Sequence, residues 1–417
     1  MQSIETLIVG GGQAGLATSS FLQQAGREHL VLEQADTAAD VWQSGRWDSF
    51  HLVIPNWTFR LPGAEYDGPN PDGFMPRGEI VDRFSRYVEQ FQLPVRTQTR
   101  VNSIEADGTS GYRVSTSNGD YRALNVVIAT GMEQLPRIPK DAEAIANDVT
   151  QIHSSAYRNP DALPPGAVLV VGSAQSGAQI AEELYQSGRQ VYHSVGFAGR
   201  APRRYRGRDI FDWLFNHLHF FDLPPEQFPA PIDRFAPPHV TGAMGGHTLN
   251  LHQFASDGVR LFGHVGGADG HQVRFEPDLH ECLGRADGFE KNVQEMIDTY
   301  VAASGMNAPA DELPQLSDGF AQPVVDQIDL RAEGISAIVW ATGYRFDYGL
   351  VKLPVVDPKG RPVSANGVTE FPGLYFVGMP WMPSLRTGIL PGMGEHARSI
   401  AEHIIARSGS RRPARAA

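Results

Sequence analysis

The sequence predicts an α/β protein made of two parallel-sheet units, the first interrupted by the second. Three observations predict it. Short apolar runs of the kind that form buried parallel strands occur at Thr6-Leu7-Ile8-Val9 and again at Val168-Leu169-Val170-Val171. Each run feeds a six-residue turn that begins and ends in glycine, at residues 10–15 and 172–177, and each turn opens a helical pattern. Two further apolar runs end abruptly in Ala-Thr-Gly, at Ala129-Thr130-Gly131 and Ala341-Thr342-Gly343.

In the first unit the turn is Gly10-Gly11-Gly12-Gln13-Ala14-Gly15 and the helical pattern runs from Leu16 to Gln24, stopping at Gly26. His29-Leu30-Val31-Leu32 is the second strand, closed by Glu33. The whole is about thirty residues, the length of one strand–helix–strand unit. In the second unit the turn is Gly172-Ser173-Ala174-Gln175-Ser176-Gly177, the helix covers 178–186, and Val191-Tyr192-His193 is the following strand. Pro164-Pro165-Gly166 marks a boundary. The division expected is a first domain over 1–164, an inserted second domain over 165–325, and a return to the first over 326–417. Residues 200–320 are poor in strand signals and rich in Pro, Gly, His and aromatics; within them only 278–303 reads as a clear helix.

Composition narrows the function. The net charge of -12 argues against a nucleic-acid partner. The basic tail from Arg407 to Arg415 reads as a solvated terminus. No run of eighteen apolar residues is present, so no membrane-spanning helix is expected. Cys282 is the single cysteine, which excludes a dithiol pair within the chain. With a first strand that starts at once and no charged-then-apolar leader, the expected location is the cytoplasm.

The two turns point to dinucleotides. A GxGxxG pattern alone is weak, but this one follows a strand, opens a helix, and has an acid at the end of the next strand. Gly10 permits the tight turn, Gly12 leaves room for a pyrophosphate, and Gly15 lets the helix pack on its strand. The helix N-terminus offers unpaired N–H groups and partial positive charge to the phosphates, and Glu33 suits the ribose hydroxyls. In the second turn Ala174 replaces the middle glycine, and His193 and Ser194 stand where an acid is absent. Arg200, Arg203, Arg204, Arg206 and Arg208 follow. Guanidinium forks suit a 2′-phosphate, which favours NADPH and leaves NADH open; a solvated basic loop is the alternative.

These residues resemble the flavin-containing monooxygenases, with their YUCCA-like and short bacterial relatives. Val41-Trp42 followed by 46–55 (Arg46-Trp47-Asp48-Ser49-Phe50-His51-Leu52-Val53-Ile54-Pro55) is similar to the family's W…YDSLRLHTP segment along the flavin, with Val53 and Ile54 in place of its His and Thr. Phe74-Met75-Pro76-Arg77 resembles the next landmark. Ala129-Thr130-Gly131 with Pro136 and Pro139 resembles the crossing between domains. Of the signature FxGxxxHxxx(Y/F/W), His153 and Tyr157 are present, and Asn147 and Val149 replace the Phe and Gly. Tyr157-Arg158 is closer to the nitrogen- and sulfur-oxidising group than to the Baeyer–Villiger enzymes. Gly373-Leu374-Tyr375-Phe376-Val377-Gly378 resembles the strand that closes over FAD, with a helix following from about Gly392.

The resemblance implies FAD along Gly10, Gly12, Gln13, Ala14, Gly15, Glu33, Trp42, Leu52, Val101, Thr130, Gly131 and Gly378. It implies NAD(P)H along Gly172, Ser173, Gln175, Ser176, Gly177, Ser194, Arg200, Arg203, Arg204, Thr342 and Gly343. The implied reaction uses NAD(P)H and O2 to oxygenate a small molecule, at nitrogen or sulfur, through a hydroperoxyflavin. The alternatives are a Baeyer–Villiger oxygenase, a flavin reductase or dehydrogenase with an external acceptor, and a non-catalytic NAD(P)-binding regulator. Asn56, Arg386 and Tyr157 are the candidate catalytic residues, Asn56 for a hydrogen bond near the oxygen adduct and Arg386 for reduced flavin or an anionic substrate. Plain alternatives are a turn asparagine and a structural salt bridge. The fourteen histidines show no metal-ligand spacing, and no metal is expected. Phe211, Trp213, Phe215, Phe220 and Phe221 read as core or dimer contact ahead of a substrate cap, so a homodimer is left open.

Overall fold

A computed structural model describes residues 1–108, 111–227 and 238–409. Its first sheet runs in the order Val95–Arg96, His29–Leu32, Gln2–Val9, Tyr121–Ile128, Tyr112–Thr116, Val101–Ala106. Leu374–Phe376 joins it alongside Tyr121–Ile128. The first four of these strands and Leu374–Phe376 pair in parallel, with Val9 opposite both Leu32 and Ile128. The second sheet is wholly parallel: Thr150–His153, Ile335–Trp340, Ala167–Val171, Val191–Ser194, Arg260–Phe262. All five residues of Ala167–Val171 are buried, which is why this strand reads as an unbroken apolar run rather than an alternation.

The sheet pairing divides the chain differently from the expected boundaries at 164/165 and 325/326. Thr150–His153 and Ile335–Trp340 both lie in the second sheet, Ile335–Trp340 between Thr150–His153 and Ala167–Val171. Apolar runs ending in Ala-Thr-Gly close both units alike, so composition could not say which sheet would take the run at 335–340.

The stretch 200–320 also holds more strand than its composition suggests. Arg260–Phe262 forms the edge of the second sheet, and Val265–Asp269, Gln272–Phe275 and Gln327–Asp329 form a separate antiparallel sheet. These strands have three to five residues, and Gly263, Gly266, Gly267 and Gly270 interrupt them. Periodicity has too little length there to register. The helix expected at 278–303 is Leu279–Ser304.

The aromatic cluster is buried within the single chain. Phe211 and Phe215 stack at 6.1 Å, and Phe215 and Phe221 at 4.5 Å, around one π-helical turn at Trp213–His217. The same cluster includes Val53 and Leu385, with Ile54, Trp57, Trp381 and Ile389 packed against it. These rings therefore cover the segment similar to flavin-lining sequence, and their burial needs no second copy of the chain. No helix among the described residues is long and apolar enough to cross a membrane. Arg411, Arg412 and Arg415 of the basic tail lie outside the described residues. Arg407 is not merely solvated: its guanidinium donates to Asn125 Oδ1 at 2.8 Å.

Candidate active site

The two glycine turns are built alike, atom for atom in their backbone bonding. Gly10 N donates to Leu32 O and Gly172 N to Ser194 O, each at 2.8 Å. Both glycines have positive φ, +110° and +101°, and a Cβ on either would stand 2.5 Å from a carbonyl oxygen, that of Ala129 or Ala341. Only glycine fits there. A Cβ at Gly15 would come 2.0 Å from Gly10 O, and one at Gly177 1.7 Å from Gly172 O, so each helix lies hard against its turn. Gly12 and Ala174 cap the two helices with matching extended backbones, ψ -176° and -178°. Neither cap is a side chain, and neither helix has an acid in its first turn. Free N–H groups and the helix dipole therefore face outward, as an anion site requires.

A Cβ at Gly12 would meet nothing within 4 Å, so open space lies over the first helix end. The buried Gln13 Oε1 beside it has no hydrogen-bond partner. Gly378 closes in from the other side: a Cβ there would stand 2.3 Å from Ala14 Cβ. Space, orphaned polar atom and N-terminal dipole all fit the pyrophosphate of FAD. The Glu33 carboxylate accepts from Gly11 N at 2.7 Å and Ala35 N at 2.9 Å, which fixes it beside the turn, where it would meet the ribose of a bound dinucleotide. Val101 begins an edge strand two residues beyond Thr99, whose N–H donates to Glu33 O.

The segment similar to flavin-lining sequence is fastened at several points. Arg46 donates to both oxygens of Glu133, at 2.7 and 2.9 Å, and its guanidinium lies 5.3 Å over the Trp42 ring. Trp42 stacks on Phe84 at 6.3 Å. Leu52 is buried, and its N–H donates to Met75 O. Thr130 Oγ1 accepts from Gln134 Nε2 at 2.9 Å, next to Gly131 in the first crossing. In the second, Thr342 Oγ1 donates to Arg137 O, and Gly343 O accepts from Arg137 N. His153 Nδ1 accepts from Ser155 N, so Nε2 carries the proton that goes to Gly343 O at 3.0 Å. The half-present signature thus clamps the crossing between units.

The three proposed catalytic side chains are bound to protein instead. Asn56 is 3 % exposed; its Nδ2 donates to Asn70 O at 2.9 Å and its Oδ1 accepts from Met75 N at 2.7 Å, so it braces the 70–75 loop. Tyr157 is fully buried and donates to Glu183 Oε2 at 2.8 Å, while Ser49 donates to Glu183 Oε1 at 2.7 Å. Burial and that carboxylate push the phenol pKa up, which suits a joint between units and not proton transfer. Arg386 pairs with Asp222 at 3.0 Å and Glu395 at 3.6 Å, tying the aromatic insertion to the segment before the last helix.

The arginine run also needs correction. Arg200 is 5 % exposed and sits between Asp287 and Glu290, each at 2.7 Å. Arg203 is 2 % exposed, donates twice to Asp209 and once to Val53 O, and lies 4.1 Å over the Phe74 ring. Arg204 spends its guanidinium on Gly245 and Gly246 carbonyls. Arg206 and Arg208 pair with Asp298 and Asp212. Four of the five guanidinium groups thus meet acids and that of Arg204 meets carbonyls, so the run gives no support to NADPH over NADH.

Comparison with known proteins agrees with this geometry. The family model "Pyridine nucleotide-disulphide oxidoreductase" matches residues 7–203. An "Uncharacterized oxidoreductase CzcO-like" of Geobacillus kaustophilus is 31% identical over 409 residues, 96% of this chain and 98% of the relative. The chain belongs to the CzcO-like oxidoreductases. A "Probable indole-3-pyruvate monooxygenase YUCCA4" of Arabidopsis thaliana is 33% identical over 224 residues, 52% of this chain and 53% of that one. Among solved structures, a flavin-containing monooxygenase from Stenotrophomonas maltophilia has a TM-score of 0.66 at 20% identity, covering 98% of this chain and 100% of its own. The two-unit fold expected from the sequence is shown by the structural match, and about half of the chain is similar to the YUCCA monooxygenases.

Several features of this CzcO-like oxidoreductase were not read from its sequence. His193, at the end of Val191–Ser194, is buried, and burial lowers its pKa to about 4. His239 is buried too and lowered to about 3, by burial first and then by His193 and Arg200. Ser194 turns inward, its Oγ donating to Gly263 O at 2.8 Å, and Ser173 Oγ accepts from Gly196 N at 2.9 Å. His264, Asp278 and Cys282 have their donor atoms within 4.8 Å of one another, a grouping made when the loop after Arg260–Phe262 brings His264 to the start of Leu279–Ser304.

Proposed function

We propose that this protein is an FAD-dependent monooxygenase that takes hydride from NAD(P)H and oxygenates a small molecule at a nucleophilic nitrogen or sulfur. The observation that carries the reading is the pair of matched dinucleotide turns, with the aromatic insertion packed over Val53, Ile54 and Trp57. Bound FAD supplies two-electron chemistry with both the pyridine nucleotide and oxygen. The chain's own part is to hold and to exclude. The open helix end at Gly12 takes the pyrophosphate, Glu33 the ribose, and Arg46 with Glu133 sets the lining segment against the crossing. Residues 175–177 at the second helix end, with Ser173 beside them, take the second pyrophosphate. The apolar wall keeps water from the reacting centre, which oxygen transfer to substrate requires.

The monooxygenase names among relatives matching half the chain support the oxygenase class, and the Tyr157-Arg158 resemblance supports nitrogen or sulfur. Purified protein should be yellow and should oxidise NADPH or NADH faster when an oxidisable amine or sulfide is present. A colourless protein that binds pyridine nucleotide without oxidising it would leave a regulator instead.

A further inference from the structure

We propose that Phe197, Arg285 and His264 form the site that holds the adenosine end of the pyridine nucleotide, with Arg285 taking the 2′-phosphate of NADPH. This rests on the reading that the second turn binds that nucleotide.

The internal repeat locates the site. Val9 pairs with Leu32 and Val171 with Ser194, and the same backbone bond joins each strand end to its turn. Counting onward, Val195 stands in the place of Glu33 and Phe197 in the place of Ala35. In the first unit the Glu33 carboxylate spans Gly11 N and Ala35 N where a ribose belongs. In the second unit Val195 is buried and offers no polar side chain, and Ser194 bonds inward. The strand end that reads the ribose in one unit is mute in the other. Recognition must come from side chains delivered by neighbouring elements.

Two such groups, Arg285 and His264, converge on Phe197. Its ring is 46% exposed, unusual for a phenylalanine. The Arg285 guanidinium, from the second turn of Leu279–Ser304, lies 3.9 Å from the ring centroid. The His264 ring, just past the edge strand Arg260–Phe262, meets Phe197 edge-on at 4.7 Å. His264 Nδ1 donates to Asp278 Oδ2 at 2.6 Å, which leaves Nε2 as an acceptor for a ribose hydroxyl. That Nε2 faces the loop, since a Cβ at Gly196 would stand 3.3 Å from it. All of this lies at the carboxyl end of a parallel sheet, where nucleotides bind in doubly wound folds.

Arg285 is also free to change partners. Its carboxylate, Glu281, is one helical turn away, and both side chains are more than half exposed, a pair worth little. A dianionic phosphate offers the fork a stronger acceptor, while stacking on Phe197 holds the guanidinium in place. Arg200 and Arg203 have no such freedom, being buried among their acids.

Calorimetric titration of the purified holoprotein with 2′,5′-ADP and with 5′-AMP reads the site without any turnover. Wild type should bind 2′,5′-ADP more tightly, by roughly ten- to a hundredfold for one charge-assisted phosphate contact. R285A should erase most of that preference while leaving 5′-AMP binding unchanged, and R285K should keep part of it. F197A should weaken both fragments, and R204A neither. Equal binding of the two fragments by wild type, or an undiminished preference in R285A, would overturn the assignment while leaving the second turn as a nucleotide site. Failure of wild type to bind either fragment or NADPH would remove both the assignment and the reading beneath it.

Discussion

Arg46 and Glu133 form a two-pronged ion pair between the segment around Trp42 and the first Ala-Thr-Gly crossing, at 2.7 and 2.9 Å. The side chains keep 16% and 26% of their exposure, so the pair is shielded without being sealed off. Arg46 also lies over Trp42 and Phe50. One guanidinium thus ties Trp42 and Phe50 to Glu133. Glu133→Ala should lower stability by about 1–3 kcal/mol, between surface and buried ion-pair values. It should also raise the fraction of flavin lost on dialysis. Denaturant midpoints and the flavin-to-protein absorbance ratio measure the two effects, and an unchanged ratio would detach the pair from flavin binding.

The glycines of the first turn should fail in different ways. A Cβ at Gly12 meets nothing within 4 Å, whereas one at Gly15 would overlap Gly10 O at 2.0 Å. Gly12→Val should therefore fold and purify colourless, its side chain filling the space meant for pyrophosphate. Gly15→Ala should lower stability or solubility whether or not FAD is supplied. Circular dichroism with visible absorbance separates the outcomes. A yellow Gly12→Val protein would move the flavin elsewhere.

Asn56 is predicted to act on structure. Asn56→Leu strands the Met75 N–H in a buried setting and frees the 70–75 loop, a loss of about 1–3 kcal/mol. Thermal unfolding should show it. A variant of native stability that had lost oxygen transfer alone would return Asn56 to the chemistry.

Two buried histidines give the second unit a pH limit. The folded pKa values of His193 and His239, about 4 and about 3, lie below the ordinary 6.5, because burial penalises the charged ring. As pH falls, the unfolded chain takes up these protons first. Stability is therefore full above about pH 6.5 and is lost from there down toward pH 4, by about 1.4 kcal/mol per pH unit for each histidine. Denaturant midpoints between pH 7 and pH 5 should fall accordingly, and His193→Phe should flatten the slope by about one proton. An unchanged slope in that variant would show that His193 titrates alike in both states.

Much of the fold was legible because it repeats. The turns at Gly10 and Gly172 carry their signal in consecutive residues, and the structure adds only the reason for each glycine. What failed to read depends on residues far apart. The arginine run looked like a phosphate cradle until Asp287, Glu290 and Asp298 arrived from Leu279–Ser304 to pair with Arg200 and Arg206, while Asp209 beside the run took Arg203. Tyr157 looked reactive until Glu183 met it from the second helix. Arg260–Phe262 escaped notice because three residues carry no period, although it is this edge strand that brings His264 to Phe197. Local motifs announce where a ligand lies; charge partners and pairing edges decide which side chains are free to touch it.

The monooxygenase reading meets its most direct test in isotope transfer. Purified protein, NADPH or NADH, and a panel of amines, sulfides and ketones would be incubated under oxygen-18 gas, and the products examined by mass spectrometry. The reading predicts one labelled oxygen atom per product molecule on an amine nitrogen or a sulfide sulfur, with hydrogen peroxide a minor outcome. Label in an ester formed from a ketone would keep the oxygenase class and move the substrate to the Baeyer–Villiger side. No label in any product, with all reducing equivalents recovered as hydrogen peroxide or passed to an added acceptor, would contradict it.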